Sequence, residues 1–189
     1  MDTSMKGVNA MSQYTANDIA LWILSEAEKQ RIPITPMKLQ KLLYYVQGCN
    51  LGMTGDPLFD DAIEAWPHGP VIPSVYRAYQ QFGPKEIPFP EGIDIPDEYQ
   101  PLIASVVNKK GKLSASALRN GTHGEDPWKT TPHRQEILQE KILEFFSSEL
   151  WTSDEEDDYQ PFFETIEEQK KYLADSFTPE ELNAILQSR

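Results

Sequence analysis

The chain has 189 residues, with 17 Lys+Arg against 30 Asp+Glu and a formal net charge of −13. Such an acidic chain repels a polyphosphate backbone, which argues against direct nucleic-acid binding, and no apolar run approaches the ~18 residues of a membrane span. A single cysteine, Cys49, permits neither an internal disulfide framework nor a cysteine-built zinc site, so a cytoplasmic protein is expected.

Residues 1–13 are polar and mixed, lack the apolar core of a signal peptide, and read as a flexible leader. Thr15 then caps a helix whose third position is Asp18, where an acid favours the helix dipole. Ile19, Trp22, Ile23 and Ala27 follow at helical spacing to about Gln30, with Pro33 as the expected stop. A second helix opens at Thr35-Pro36, proline suiting the first helical position. Met37, Leu39, Leu42, Leu43, Tyr45, Val46 and Cys49 make it apolar around much of its circumference, as in a helix at the centre of a core, and Gly52 and Gly55 supply its stop.

Ile63 and Ala65 alternate with Glu64 and Trp66, which suits a short extended stretch. The prolines of His68-Gly69-Pro70-Val71-Ile72-Pro73 exclude regular helix. Pro73 opens a helix carrying Val75, Tyr76, Tyr79 and Phe82; a proline-rich loop with room for a short strand follows. Leu102, Ile103, Val106 and Val107 predict a helix ending near Lys110-Gly111. Ser114 caps a short one over 115–119 that Gly121 terminates. This pair resembles a helix-turn-helix, but the local basic cluster is too small for phosphate neutralisation, so packing is the reading taken. Ile137, Leu138, Ile142, Leu143, Phe145 and Phe146 predict a third long helix over 134–150. Five acids at 154–158 then oppose regular structure, and Thr178-Pro179-Glu180-Glu181 is a further helix start.

The overall expectation is a mostly α protein with at most a short extended segment, large enough to bury roughly 70% of its unfolded surface. Its charge is unevenly placed. Residues 1–133 carry net −3 and residues 134–189 carry net −10.

Signals for catalysis are absent. The three histidines, His68, His123 and His133, show no metal-ligand spacing, and phosphate-loop, GxGxxG and GxSxG patterns do not occur. No metal and no cofactor are expected, and Cys49 reads as a small buried hydrophobe. The aromatic and proline cluster of Tyr44, Tyr45, Trp66, His68, Pro70, Tyr76, Tyr79 and Trp128 stands out instead. Trp and Tyr give large contact area at low rotamer cost, Tyr45 and Tyr76 read as core, and the rigid His68-Gly69-Pro70 loop suits a fixed contact surface.

The run Met37 to Tyr45, then Pro57-Leu58-Phe59, Ile63-Glu64-Ala65-Trp66, His68-Gly69-Pro70-Val71 and Pro73-x-Val75-Tyr76, resembles the Panacea domain. This is the SocA-like antitoxin family, seen also in GepA-like phage-associated proteins. Leu113-Ser114, Leu118, Thr122-His123 and Pro127-Trp128 match its second motif in order. The resemblance spans about residues 14–132 and departs at Pro67, where a larger polar residue is expected. It implies a compact helical domain that neutralises a toxin encoded beside it, in bacteria or their phages, without established catalytic residues.

The expected organisation is therefore a leader (1–13), an antitoxin domain (14–133) and an acidic helical extension (134–189) that selects the toxin. The reading is a non-enzymatic antitoxin acting by direct protein–protein binding. Partner contact is assigned to Tyr44, Trp66, His68, Gly69, Pro70, His123 and Trp128 and to the acids Asp154, Glu155, Glu156, Asp157 and Asp158. The alternatives are a proteolytic adaptor, with a cytoplasmic protease as second partner, and an acidic nucleic-acid mimic.

Overall fold

Thr15 and Thr35 each open a helix as their side chains require. In the computed structural model, which describes residues 12–147, Thr15 Oγ1 accepts from the amide of Asp18 and the Asp18 carboxylate returns to the Thr15 amide at 2.8 Å, a reciprocal capping box. Helix α1 runs Ala16–Gln30. It ends before Pro33 acts: Arg31 takes a left-handed conformation (φ 56°), its amide reaches the Glu28 carbonyl, and the Ile32 amide reaches that of Ala27. That pair of bonds satisfies the last free carbonyls of the helix.

Helix α2 (Pro36–Thr54) is the hub, and every residue from Lys38 to Leu51 along it is buried. Gly55 (φ 81°) is its cap, but Gly52 is not a stop. Gly52 lies inside the helix, where an added Cβ would stand 2.7 Å from the Phe146 carbonyl oxygen; at Gly48 it would stand 2.3 Å from the Phe146 ring. The two glycines form a notch for that phenylalanine.

The segment after α2 forms a small antiparallel hairpin, β1 (Glu64–Trp66) with β2 (Gly69–Val71), pairing Glu64 with Val71 and Trp66 with Gly69. Helix α3 (Pro73–Tyr79) follows and continues in a single 3-10 turn, Gln80–Phe82. The proline-rich loop holds no strand; Ile87 and Ile95 bury 97% of their surface, and the Ile87 amide reaches the Ile34 carbonyl at 2.8 Å. Helices α4 (Gln100–Lys110) and α5 (Ala115–Gly124) pack on α2, and α6 (Asp126–Lys129) follows. Helix α5 runs through Gly121 rather than ending there, because that glycine faces the Tyr45 hydroxyl, 3.3 Å from where a Cβ would sit.

The helix expected over 134–150 starts only at Gln139: α7 is Gln139–Phe146. Arg134 turns the chain in a left-handed conformation (φ 60°), and residues 134–137 then line the free edge of β1. Ala65 donates to the Gln135 carbonyl at 2.9 Å, and Arg134 and Ile137 donate to the carbonyls of Ala65 and Ile63, both at 2.7 Å. A helix there would leave these strand groups without partners, so tertiary pairing overrides local propensity. Helix α7 lays Ile142 and Phe146 against α2, where Phe146 meets Tyr44 and Tyr45 edge-on at 5.5 and 6.2 Å.

Residues preceding α1 are also held. The Ser12 amide donates to Asp60 at 2.6 Å, Tyr14 bridges to Phe59, and the Asp61 carboxylate accepts from the Ala16 amide at 2.9 Å, an acid placed at a helix N-terminus. The five acids at 154–158 and the helix start at Thr178 lie outside the described residues. No helix among the described residues is long and apolar enough to cross a membrane.

Candidate functional site

The hairpin turn Trp66-Pro67-His68-Gly69 exposes backbone carbonyls that two strands alone do not satisfy. Three side chains from two other parts of the chain take them. The Trp128 indole donates to the Trp66 carbonyl at 2.9 Å. The His123 ring hydrogen-bonds to the backbone of Pro67, and Lys41 Nζ donates to the Pro70 carbonyl at 2.9 Å. His123 and Trp128 lie flat on each other, 3.9 Å between centroids and 4° between planes. The second motif thus closes over the first as a latch.

Gly69 is required where it stands. Its φ is 99°, and a Cβ would lie 2.6 Å from Thr122 Oγ1 and 2.9 Å from Lys41 Nζ. Helix α2 holds the rest of the irregular segment with its polar side chains. Gln40 accepts from the Ile72 amide at 2.7 Å. Gln47 brackets Leu58 and Phe59 by accepting one amide and donating to a carbonyl at 2.9 and 2.8 Å. Asn50 donates to the Asp56 carbonyl at 2.8 Å. A helix buried all round is thereby compatible with polar residues, since each satisfies loop backbone.

The electrostatics follow from burial. Lys41 is 1% exposed; burial first, and the Arg119 charge second, bring its ammonium down to about 7. His68 is lowered to about 3 and His123 to about 4, by burial and then by Arg119 and Lys41, so both rings are neutral at pH 7. Tyr45 donates to Glu125 at 2.8 Å. Tyr44 beside it is fully buried, its hydroxyl pushed well above the ordinary range by burial and then by Glu125. Cys49 is buried and pushed up to about 12 by desolvation, as fits a packing residue.

The structure brings together six of the seven residues singled out within the domain, while Tyr44 packs against Tyr45 and Phe146. Tyr44, Gly69 and Pro70 are buried, whereas Trp66, His68, His123 and Trp128 are half-buried. Trp66 packs on Tyr76 at 5.0 Å, carries the Arg134 guanidinium 5.4 Å above its ring, and donates to Glu64 at 2.7 Å. Tyr76, read as core, is half-buried against it. The acids at 154–158 lie outside the described residues. Lys41, Gln40, Thr122 and Glu125 were not singled out, although Gln40-Lys41 interrupts an otherwise apolar helical run, a signal that those positions face buried polar groups. The arrangement offers a rigid, partly aromatic face rather than an open cavity above a reactive group, since Lys41 is sealed beneath the hairpin.

Residues 39–129 match the family described as "Antitoxin SocA-like, Panacea domain". The chain is also similar to the protein named Antitoxin SocA of Caulobacter vibrioides (strain NA1000 / CB15N), at 36% identity in an alignment of 127 residues that covers 60% of this chain and 68% of that protein. No solved structure matches the chain.

Proposed function

The chain belongs to the antitoxin SocA-like, Panacea-domain family, and from that premise we propose that it is an antitoxin that neutralises a partner toxin by direct contact, without catalysis. The observation that carries this reading is the latch: two motifs more than fifty residues apart converge on one half-buried face that includes Trp66, His68, His123 and Trp128. Aromatic side chains held rigid by backbone hydrogen bonds lose little entropy on binding, which is what a contact surface requires. Gly69 and Pro70 act from beneath, by fixing the face, and Tyr44 acts through the packing of α2 on Phe146. The acidic extension supplies partner choice. Its Asp154, Glu155, Glu156, Asp157 and Asp158 complement the basic surfaces of proteins that act on nucleic acid or nucleotides, and speed association with them. The packing of α7 on α2 supports counting α7 with the scaffold and beginning the extension after it.

The test is a chain ended after Leu150, co-expressed with the product of the adjacent gene. Loss of growth rescue, together with a full-length complex that weakens as salt rises, is the expected result. A shortened chain that rescues growth and binds equally well at high salt overturns the role given to the extension.

A further inference from the structure

Beside the latch lies a groove of about 490 Å³ lined by Ala65, Pro67, Trp128, Lys129, Thr131 and His133. Its floor is apolar and aromatic. Among its described lining residues Lys129 is the charged one, exposed as His133 is, and there is no carboxylate. Two further cations stand at its margin. Lys141 Nζ, from the first turn of α7, is 3.3 Å from Thr131 Oγ1, and Arg134 lies over Trp66, whose indole holds a carboxylate beside it, Glu64. In a chain of net −13, a groove of this character has one obvious complement within the molecule. Residues 151–158 read Trp-Thr-Ser-Asp-Glu-Glu-Asp-Asp, an aromatic ring followed by a block of acids.

The tether is short enough. The last described residue is Ser147, and α7, rising ~1.5 Å per residue, carries the chain less than ~12 Å from the groove margin at Lys141. Four residues to Trp151 reach up to ~14 Å and eleven to Asp158 up to ~39 Å. A tether of this length sets an effective local concentration in the millimolar range, well above that of a partner in trans.

We propose that residues 151–158 dock in cis in the Pro67–Trp128 groove, with Trp151 on its aromatic floor and the acids against Lys129, Lys141 and Arg134. Resting on the antitoxin reading, this adds a control: the basic surface of the toxin binds by drawing the acidic segment off the groove. The free antitoxin is then self-covered, its acids and its aromatic face masking each other until the toxin arrives.

Zero-length carbodiimide cross-linking of the full chain, with the linked peptides identified by mass spectrometry, tests the docking. Links from Lys129 and Lys141 to the acids at 154–158 are expected to dominate over links to Lys85, Lys109 and Lys112, to be independent of protein concentration, and to fade at high salt. An even spread over all lysines overturns the proposal; so does a concentration-dependent pattern, which marks a second copy as the occupant. The full chain carrying Lys129→Glu and Lys141→Glu is expected to lose the links and to associate several-fold faster with the product of the adjacent gene. Slower association overturns the masking. Absent links with toxin binding that still depends on the acids defeat the docking alone. Links that are present in a chain whose toxin binding ignores the acids defeat the toxin reading and leave the docking standing.

Discussion

Lys41 sits where a lysine is costly. Its stem is enclosed by α2, the hairpin and α5, and its ammonium has the Pro70 carbonyl as hydrogen-bond acceptor. Its folded value of about 7 lies below the ordinary lysine value of 10.5, so between those two pH values the unfolded chain holds more protons than the folded one. Stability therefore rises with pH in that window, and the penalty of the buried charge is fully present below about pH 7. Chemical denaturation of the native protein and of Lys41→Met between pH 7 and 8.5, below the range of tyrosine titration, should show the native curve rising relative to the variant, its slope approaching about 1.4 kcal/mol per pH unit. Parallel curves would mean that Lys41 keeps its proton and that its charge is neutralised in place. The sequence showed the charged residue inside an apolar helix, but not what it faces. That depends on the hairpin carbonyl of Pro70, supplied 29 positions later, and no local pattern carries such a pairing.

At the scale of elements, legibility followed locality. The starts of α1, α2, α3 and α5 were readable because a cap or a proline acts within one turn of its own helix. The end of α1 was missed locally, where Arg31 caps the helix ahead of Pro33, and the larger failures were long-range. Gly52 and Gly121 resembled stops because glycine commonly is one, yet Gly52 makes room for the Phe146 backbone and Gly121 for the Tyr45 hydroxyl. Residues 134–138 carry a helical pattern but complete the edge of β1 instead. The notch in α2 makes a sharp prediction. Phe146→Ala removes a ring that packs against Gly48, Tyr44 and Tyr45, and should cost about 3–5 kcal/mol of unfolding free energy. Gly52→Ala meets the Phe146 backbone rather than a flexible side chain, so it should also destabilise, by about 1–3 kcal/mol. Equilibrium urea unfolding of both variants checks this; a change below about 0.5 kcal/mol in each would mean that α7 is not anchored there.

For the molecule as a whole, the family match and the folding unit have different limits. The match covers residues 39–129, whereas the core draws on Ile19, Ile23 and Leu24 of α1 and on Ile137, Ile142 and Phe146 near the other end. A fragment limited to residues 39–129 should therefore lack a cooperative thermal transition, while residues 12–147 should show one by circular dichroism; a cooperative short fragment would refute this account of the core. The negative charge is concentrated towards the end of the chain. Residues 12–147 carry net −4, and residues 148–189 carry net −9.

The loop between α2 and β2 is gripped from both directions along the chain. Ser12, Tyr14 and Ala16 hold Asp60, Phe59 and Asp61, and residues 134–137 hold Ile63 and Ala65. During synthesis the early grip can close once residue 61 has emerged, but the late one waits for roughly seventy further residues. Contacts of such sequence separation slow folding, and a chain emerging at roughly 5–20 residues per second spends several seconds with β1 paired on one edge only. For a protein whose task is to meet a toxin, that interval is a delay between translation and protection. Its length is set by where residues 134–146 fall in the chain rather than by the strength of any contact they make.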